Sequence, residues 1–421
     1  MTKAILICYD LPNNLWKKLN GFAMKTAEGG GEMEPLCTAE ALVQILKQLH
    51  RWPETAYEEY QTAQLIRSVL READIPLIDT GMDTCTIALI RGGRLGKTIA
   101  LRADIDALPM QEETDLPWKS QREGVMHACG HDSHTAMMLG AAILLKERQA
   151  DLPGCVKIIF QPAEELDNGA DQVIASGVVD DCELFLAGHS YPQFKAGTIG
   201  VKEGAVMAAV DRFAVTIRGT GCHAGQPNKG VDPIVTAAAV IQSLQSIISR
   251  RMNPFTPRVL SITRMTAGTT WNIIPDTAFF EGTLRTLDEQ QRALAEEEFR
   301  RIVQGVAASY GAEAEIDWIH GSPAVLNDEK LCIIGRETAA QCGLIAARQE
   351  DTMGGEDFSC YLRGKPGLFV RIGTGGDYPG HHPKFTVDPE ALYPAAEYFA
   401  RLAENCLRAE WISIDQREET K

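Results

Sequence analysis

The sequence predicts an α/β fold in which a mostly parallel sheet is interrupted by an inserted, ferredoxin-like α+β domain. Three observations support this prediction. The chain has 421 residues, more than one hydrophobic core usually holds, so two domains are expected. Short apolar runs alternate with helical patterns along the first half, which is typical of parallel sheets with helical crossovers. From about residue 210 the order becomes β-α-β-β-α-β, that of a ferredoxin-like sandwich.

Helices and strands of the parallel sheet are predicted on both sides of the insertion. Helical patterns begin near Thr38 and Glu58. The remaining predicted elements are strands at 98–101, 156–160 and 184–187, helices at 133–146 and 171–176, and a last helix at 389–408. The insertion is predicted to contain strands at 212–218, 259–264, 277–286 and 314–319 and helices at 232–251 and 288–310.

These elements divide the chain into a leader, a main domain and an insertion. The predicted ranges are 1–32 for the leader, 33–208 and 324–421 for the main domain, and 209–323 for the insertion. The leader is set apart by three consecutive glycines, Gly29, Gly30 and Gly31. Two interpretations stay open: an appended, poorly ordered segment with Met33 as an alternative start, or an extra docked strand at residues 4–8.

Composition excludes several classes of partner. The formal net charge is −16, which disfavours binding to phosphate backbones or anionic lipid. Eleven cysteines occur without a CxxC pair, which favours a reducing compartment over a disulfide framework. The longest apolar stretch, about 136–145, is far below the roughly 20 residues of a membrane span. We therefore expect a cytoplasmic protein with neither a nucleic-acid nor a membrane partner.

Potential metal ligands follow the predicted strands. Ligands of open parallel sheets bind beyond the carboxyl ends of the strands, so side chains that follow several strands should meet at one edge. Three predicted strands and one loop before a helix deliver the following residues: Asp104, Asp106, Cys129, His131, Glu164, Glu165 and His189.

Each motif alone has a simpler explanation, and only their joint placement favours a metal site. Cys129 beside His131 is more typical of a buried thiol next to a satisfied imidazole, and Glu164-Glu165 of the solvated start of a helix. Together with His189 and His381, these motifs offer one cysteine, three histidines and one glutamate as ligands. This thiolate, imidazole and carboxylate set suits zinc or manganese. Five ligands exceed the four of one tetrahedral zinc ion, so two metals are expected.

Adjacent glutamates suit amide hydrolysis. One can bind a metal ion while its neighbour stays free to carry a proton. A divalent metal lowers the pKa of a bound water from about 16 toward about 7. A free glutamate within hydrogen-bond reach can then carry the proton to the leaving amine.

Nine segments in the same order resemble the aminoacylase-like metallopeptidases, a family that includes hippurate hydrolases, indole-acetyl-amino-acid hydrolases and N-acetyl-diaminopimelate deacetylases. The resemblance extends from about residue 40 to residue 408. The segments are 49–54 (LHRWPE), 101–109 (LRADIDALP), 126–134 (MHACGHDSH), 161–165 (QPAEE), 188–192 (GHSYP), 222–225 (CHAG), 272–276 (NIIPD), 355–358 (GEDF) and 381–385 (HHPKF).

The resemblance implies a role for each metal-site residue. Glu164 is the implied catalytic base, whereas His382 matches a variable position and is not a ligand. Asp104 and Asp106 are expected behind the ligands, although strand-end turn residues are an equal alternative. The implied metal ligands are Cys129, His131, Glu165, His189 and His381.

The inserted domain is implied to contribute to the substrate site and to dimerisation. His223 matches a residue that stabilises the oxyanion, often in the partner subunit's active site. Asn272 and Arg285 are expected to orient the substrate's amide and carboxylate, although Arg285 alone would be a surface charge. Gly355 is expected to let the backbone approach the substrate, or to form a turn.

The predicted function is hydrolysis of a small N-acyl amino acid to a carboxylic acid and a free amino acid. The resemblance implies two divalent ions per subunit (zinc or manganese, with cobalt or nickel as further options) and a homodimer formed through the inserted domain, which also serves as a lid. A dipeptidase of the same superfamily is the alternative. An inactive, metal-stabilised binding protein is a weaker one, because the base Glu164 is present.

Overall fold

The computed structural model describes residues 37–166 and 169–409. The predicted leader, including the strand proposed at 4–8, lies outside the described residues. The helices are α1 Ala39–Arg51, α2 Tyr60–Glu72, α3 His131–Glu147, α4 Gly169–Ala175, α5 Pro233–Ser246, α6 Glu289–Ser309, α7 Glu329–Gln341 and α8 Leu392–Arg408.

Sixteen strands are found in these residues. They are β1 Leu77–Ile78, β2 Thr86–Arg91, β3 Arg94–Asp104, β4 Pro153–Gln161, β5 Cys182–Tyr191, β6 Thr198–Gly200, β7 Gly204–Met207, β8 Ala209–Arg218, β9 Cys222–His223, β10 Arg258–Ala267, β11 Ile273–Ile274, β12 Thr277–Thr286, β13 Glu313–His320, β14 Val325–Asn327, β15 Ile345–Ala347 and β16 Gly367–Gly373.

The main sheet has eight strands in the order β1-β2-β4-β3-β5-β16-β6-β15. The pairs of β3 with β4, β3 with β5, β5 with β16, and β6 with β15 are parallel, so the carboxyl ends of the central strands β3, β4, β5 and β16 meet at one edge. One face carries the largest core, to which α1, α3 and α8 contribute. The predicted α/β class is confirmed.

The second sheet has the strand order β10-β12-β8-β13, and all its pairs are antiparallel. In chain order this is the 4-1-3-2 arrangement of a ferredoxin-like unit read from β13. Its own core includes Phe213 of β8, Val240 of α5 and Phe299 of α6. The order of elements matches the predicted insertion, while its limits at 209 and 323 stay a prediction.

Several predicted element ends were wrong by a few residues. The strand predicted to end at residue 101 continues to Asp104, and the one predicted to end at 187 continues to Tyr191. The helix predicted from 133 already begins at His131. Helix α5 ends at Ser246 and passes into a π-helical turn, Ile247–Arg251. Within the described ranges, no helix is long and apolar enough to cross a membrane.

Candidate metal centre and active site

Five predicted ligands converge at the carboxyl edge of the main sheet. Potential ligand atoms of Cys129, His131 and His189 lie within 4.8 Å of one another, and so do those of Cys129, Glu165 and His381. The Cys129 Sγ is 3.2 Å from the His189 Nε2. The Glu165 Oε1 is 3.3 Å from the His381 Nε2 and 3.9 Å from the His131 Nε2.

The chemistry of this donor set, a thiol, imidazoles and a carboxylate, fits divalent cations such as zinc or manganese. The His131 Nε2 is buried and has no hydrogen-bond partner among the described residues, which is rare for buried polar atoms. Burial raises the pKa of the Cys129 thiol to about 12, so a nearby cation is needed to keep this sulfur as a thiolate at neutral pH.

One glycine and one strained backbone position shape the loops that carry these predicted ligands. Gly130, just before α3, has φ 88°, and a Cβ there would lie 2.6 Å from the Ser190 Oγ. His381 has φ 62° although it is not a glycine, and its N–H donates to the Ala128 carbonyl over 2.8 Å. The two ligand loops are therefore tied to each other, with strain of the kind found at functional sites.

Asp106 orients two ligands at once. Its Oδ1 lies 3.2 Å from the His131 Nδ1, and its Oδ2 accepts a 3.0 Å hydrogen bond from the Glu165 N–H. A carboxylate behind a ligating histidine fixes the ring and makes the free nitrogen more basic. The expectation that Asp106 lies behind the ligands agrees with this geometry.

Asp104 lies between the predicted ligand His131, whose Nε2 is 3.7 Å from its Oδ2, and His134. Its Oδ1 lies 2.5 Å from the His134 Nδ1, and the His134 Nε2 accepts a 2.7 Å hydrogen bond from the Ser190 N–H. Because the His134 Nε2 accepts, the Nδ1 carries the hydrogen and donates a hydrogen bond to Asp104. Ser190 follows the ligand His189, so this chain connects β3, α3 and β5.

A buried arginine holds the carboxylates around the site together. Arg102 is almost fully buried in β3. Its Nη1 donates to Asp104 over 2.7 Å, and its Nη2 donates to Asp357 over 2.6 Å and lies 3.1 Å from Glu356. Sequence reasoning did not identify Arg102, Glu356 or Asp357. A charge within the apolar run 99–103 was the available signal, because a buried charge requires partners.

Glu164 is the carboxylate that this network leaves available. Potential ligand atoms of Glu164, Glu356 and Asp357 lie within 4.8 Å of one another. The same limit holds for the atoms of Glu164, His131 and Glu165. Burial, followed by the like charges of Glu356 and Asp357, raises the pKa of Glu164 well above its ordinary value. A glutamate in this environment can hold a proton at neutral pH.

The turn that carries Glu164 rests on another buried glutamate. Ala163 has φ 57°, and its N–H donates to the Glu59 Oε1 over 2.9 Å. The Glu59 Oε2 is buried with no hydrogen-bond partner in the described part of the chain. Burial raises the pKa of Glu59 to about 7.

The cluster opens into a cavity of about 700 Å³. Glu164 and four of the five ligands line it, and His131 lies behind them. Arg285 and Gly355, the two residues expected to contact the substrate, line the cavity together with Met207. The Arg285 Nη1 donates to the Met353 carbonyl over 2.9 Å.

His223 and Asn272 do not line this cavity. His223 is exposed on β9, which pairs with β11, and its Nδ1 accepts a hydrogen bond from the Gly225 N–H over 3.0 Å. The Asn272 Oδ1 accepts from the Thr270 hydroxyl over 3.1 Å. Trp271 beside them is 92% exposed. The single chain therefore does not bring these two residues to the ligands.

Comparison with known proteins identifies the family. The model of a protein family described as "Peptidase family M20/M25/M40" matches residues 100–405 of this chain. This chain belongs to that family.

Relatives match over most of their length. The chain is 47% identical over 363 residues to an N-acetylcysteine deacetylase of Bacillus subtilis, covering 86% of this chain and 96% of the relative. It is 34% identical over 366 residues to a hippurate hydrolase of Campylobacter jejuni, covering 85% and 94%. A crystal structure of a Bacillus subtilis protein described as a dinuclear metal binding peptidase is 43% identical, with a TM-score of 0.81 over 88% of this chain and 99% of that one.

Proposed function

We propose that this protein hydrolyses the amide bond of small N-acyl amino acids and releases a carboxylic acid and a free amino acid. One observation carries the proposal: Glu164 lies free beside five converging metal-ligand side chains at the wall of a 700 Å³ cavity. The relatives named N-acetylcysteine deacetylase and hippurate hydrolase support the same substrate class.

Two divalent ions are proposed to be held by Cys129, His131, Glu165, His189 and His381. Zinc and manganese suit this donor set best, with cobalt or nickel as further options. When bound, the ions polarise the scissile carbonyl and activate a water molecule. Asp106 keeps His131 and Glu165 in place through the two contacts described above.

Glu164 is proposed to move the proton. Its carboxylate takes a proton from the attacking water and delivers it to the leaving nitrogen. The raised pKa favours the protonated form that donates, and the cluster of Glu356 and Asp357 around Arg102 maintains this environment. Arg285 and Gly355 are proposed to contact the substrate from the cavity wall.

The oxyanion is proposed to be stabilised by His223 of a second copy. His223 is exposed in one chain and away from the cavity, so it needs another subunit to reach a substrate. β10 is an edge strand of the second sheet, exposed over residues 263–267. Exposed apolar side chains at Val235, Met265 and Ile273 accompany it, as expected for a surface that another subunit covers. Asn272 would reach the substrate in the same way.

A reducing compartment such as the cytoplasm is proposed as the location. None of the ten cysteines in the described ranges forms a disulfide. The Cys129 thiolate required by the proposed metal site would also be at risk of oxidation elsewhere.

The test measures amino-acid release from N-acetyl, N-benzoyl and dipeptide substrates with added manganese, zinc or chelator. We expect metal-dependent turnover of the acylated amino acids. Glu164→Gln should lower kcat by about 10³-fold with unchanged metal content, whereas the exposed control Glu123→Gln should not. Turnover of dipeptides alone would identify a dipeptidase, and turnover that persists in chelator would rule out the metal assignment.

A further inference from the structure

One buried cation in the cavity has no hydrogen-bonding or ion-pair partner among the described residues. Arg371 of β16 is only 7% exposed and lines the cavity. Among the residues described, its guanidinium forms no hydrogen bond or ion pair. Its nearest aromatic neighbours are the rings of Tyr191 and Phe369, whose centroids lie 5.6 and 5.5 Å from its Cζ.

The other strongly buried arginines of the chain differ from Arg371. Arg102 contacts three carboxylates. Arg292, 8% exposed, donates to both oxygens of Asp211 and to Glu289. A guanidinium cannot relieve such burial by losing its proton, so an unpaired one carries a large desolvation penalty.

A second unsatisfied polar group lies at the same place. Gln349 is 1% exposed, and neither its Oε1 nor its Nε2 has a hydrogen-bond partner within the described ranges. The Cβ atoms of Gln349 and Arg371 would each lie 3.1 Å from a Cβ at Gly200 of β6. Gly200 therefore lies beside the backbone positions of both Gln349 and Arg371, and a larger residue there would crowd both side chains.

None of the acidic residues that line the cavity forms an ion pair with Arg371, although the charges of Glu356 and Cys129 act on it. Glu356 is 3.1 Å from Arg102, and Asp351 is paired with Lys202. Glu165 belongs to the proposed metal ligands. A planar guanidinium binds a carboxylate through two parallel hydrogen bonds, and every N-acyl amino acid has such a group.

We propose that Arg371, with Gln349 behind it, binds the carboxylate of the amino-acid half of the substrate. This inference rests on the proposed function and deepens it, because it makes the free carboxylate a requirement for recognition. The sequence predicted that Arg285 binds this carboxylate, but the Arg285 Nη1 already donates to the Met353 carbonyl. We assign the carboxylate contact to Arg371 instead. Since Arg371 pairs in register with the ligand His189, the scissile amide would lie close to the metal ligands.

The experiment compares N-acetyl-L-methionine with its carboxamide, N-acetyl-L-methioninamide. Calorimetric Kd values are measured on metal-loaded Glu164→Gln protein, in which turnover does not interfere. We expect the acid to bind about a hundredfold tighter than the amide. Adding Arg371→Gln should reduce this ratio to about threefold or less and leave the Kd of the amide unchanged, while Arg371→Lys should restore part of it.

Controls separate this role from a structural one. Arg285→Gln should keep the preference for the acid, and Gln349→Leu should weaken it by about tenfold. The proposal is overturned if the preference survives Arg371→Gln, if it is lost in Arg285→Gln instead, or if Arg371→Gln lowers metal content and affects both ligands equally.

Turnover by the wild-type enzyme distinguishes failure of the proposed Arg371 carboxylate site from failure of the proposed hydrolytic function. If the acid binds through Arg371 but neither N-acyl compound is hydrolysed on any metal, the carboxylate site stands and the proposed reaction does not. If the acid is hydrolysed and Arg371→Gln changes neither kcat/KM nor the preference, the reaction stands and the site does not.

Discussion

The carboxyl edge of the main sheet and the separate two-stranded sheet of β9 and β11 differ in how completely their polar groups are satisfied. At the sheet edge, Arg102, Asp104 and His134 are buried and connected across β3, α3 and β5. On the two-stranded sheet, the side chains of His223 and Asn272 form only local hydrogen bonds among the described residues, and the neighbouring Trp271 is almost fully exposed.

This difference separates a region that is complete within one chain from a region that requires a second surface. Buried, connected polar groups are costly to disturb because each one removed leaves another unpaired. Exposed groups with local contacts can be removed with little effect on folding. Substitutions at the sheet edge should therefore lower the stability of the fold. Substitutions on the two-stranded sheet of β9 and β11 should lower activity alone.

The largest loss of stability is expected at Arg102. Arg102→Met leaves three buried carboxylates without their cation, so the free energy of unfolding should fall by about 3–5 kcal/mol. The matched control is Arg212→Met, which removes an exposed ion pair with Glu281 and should change it by about 0.5 kcal/mol or less. Denaturant unfolding of both variants measures the difference, and equal losses would remove the distinction between the two regions.

An intermediate effect, on activity only, is expected at His223. His223→Ala should lower kcat by about 10²–10³-fold, the usual effect of removing an oxyanion donor, with unchanged unfolding. Mixing it with Glu164→Gln under conditions of subunit exchange should restore activity, because each mixed dimer then contains one site with both Glu164 and the partner's His223. No recovery, despite mixed dimers detected by native mass spectrometry, would place His223 in its own subunit's site.

The smallest effect is expected from Glu59 and depends on pH. Its pKa is about 7 in the folded protein, against about 4.3 for an unperturbed glutamate. The folded state therefore binds more protons between these values, so the group's stabilising contribution is present below about pH 4 and is lost as pH rises through 7. The full change is at most about 4 kcal/mol, and only part of it falls between pH 5 and 8. Glu59→Gln should flatten the dependence of unfolding free energy on pH between 5 and 8, and an unchanged slope would contradict the assignment.

Much of the site followed from the order of residues along the chain. The carboxyl ends of β3, β4 and β5 lie side by side because the crossovers make these strands parallel, and this placed Asp106, Glu165 and His189 near one another. The roles of the ligands came from the family resemblance rather than from spacing. Those roles, and the limits of the domains, stay predictions.

The features that were missed depend on contacts between distant segments. His189 lies within β5 rather than after it because β16, about 180 residues later, pairs with it through Tyr191. No local pattern near residue 187 contains that information. Arg371 and Gln349 were missed for the same reason, since each looks like an ordinary polar residue until β6 and β16 bring them together.

The position of β16 between β5 and β6 also has a consequence for biosynthesis. The inserted sheet is complete once residue 320 has been synthesised, so it can fold while the chain is still attached to the ribosome. The main sheet must wait for residues 367–373 to enter between two strands made long before. Until then the edge of β5 is open, and because an unpaired strand edge promotes aggregation, the interval between these two points is when the nascent chain most needs protection by chaperones.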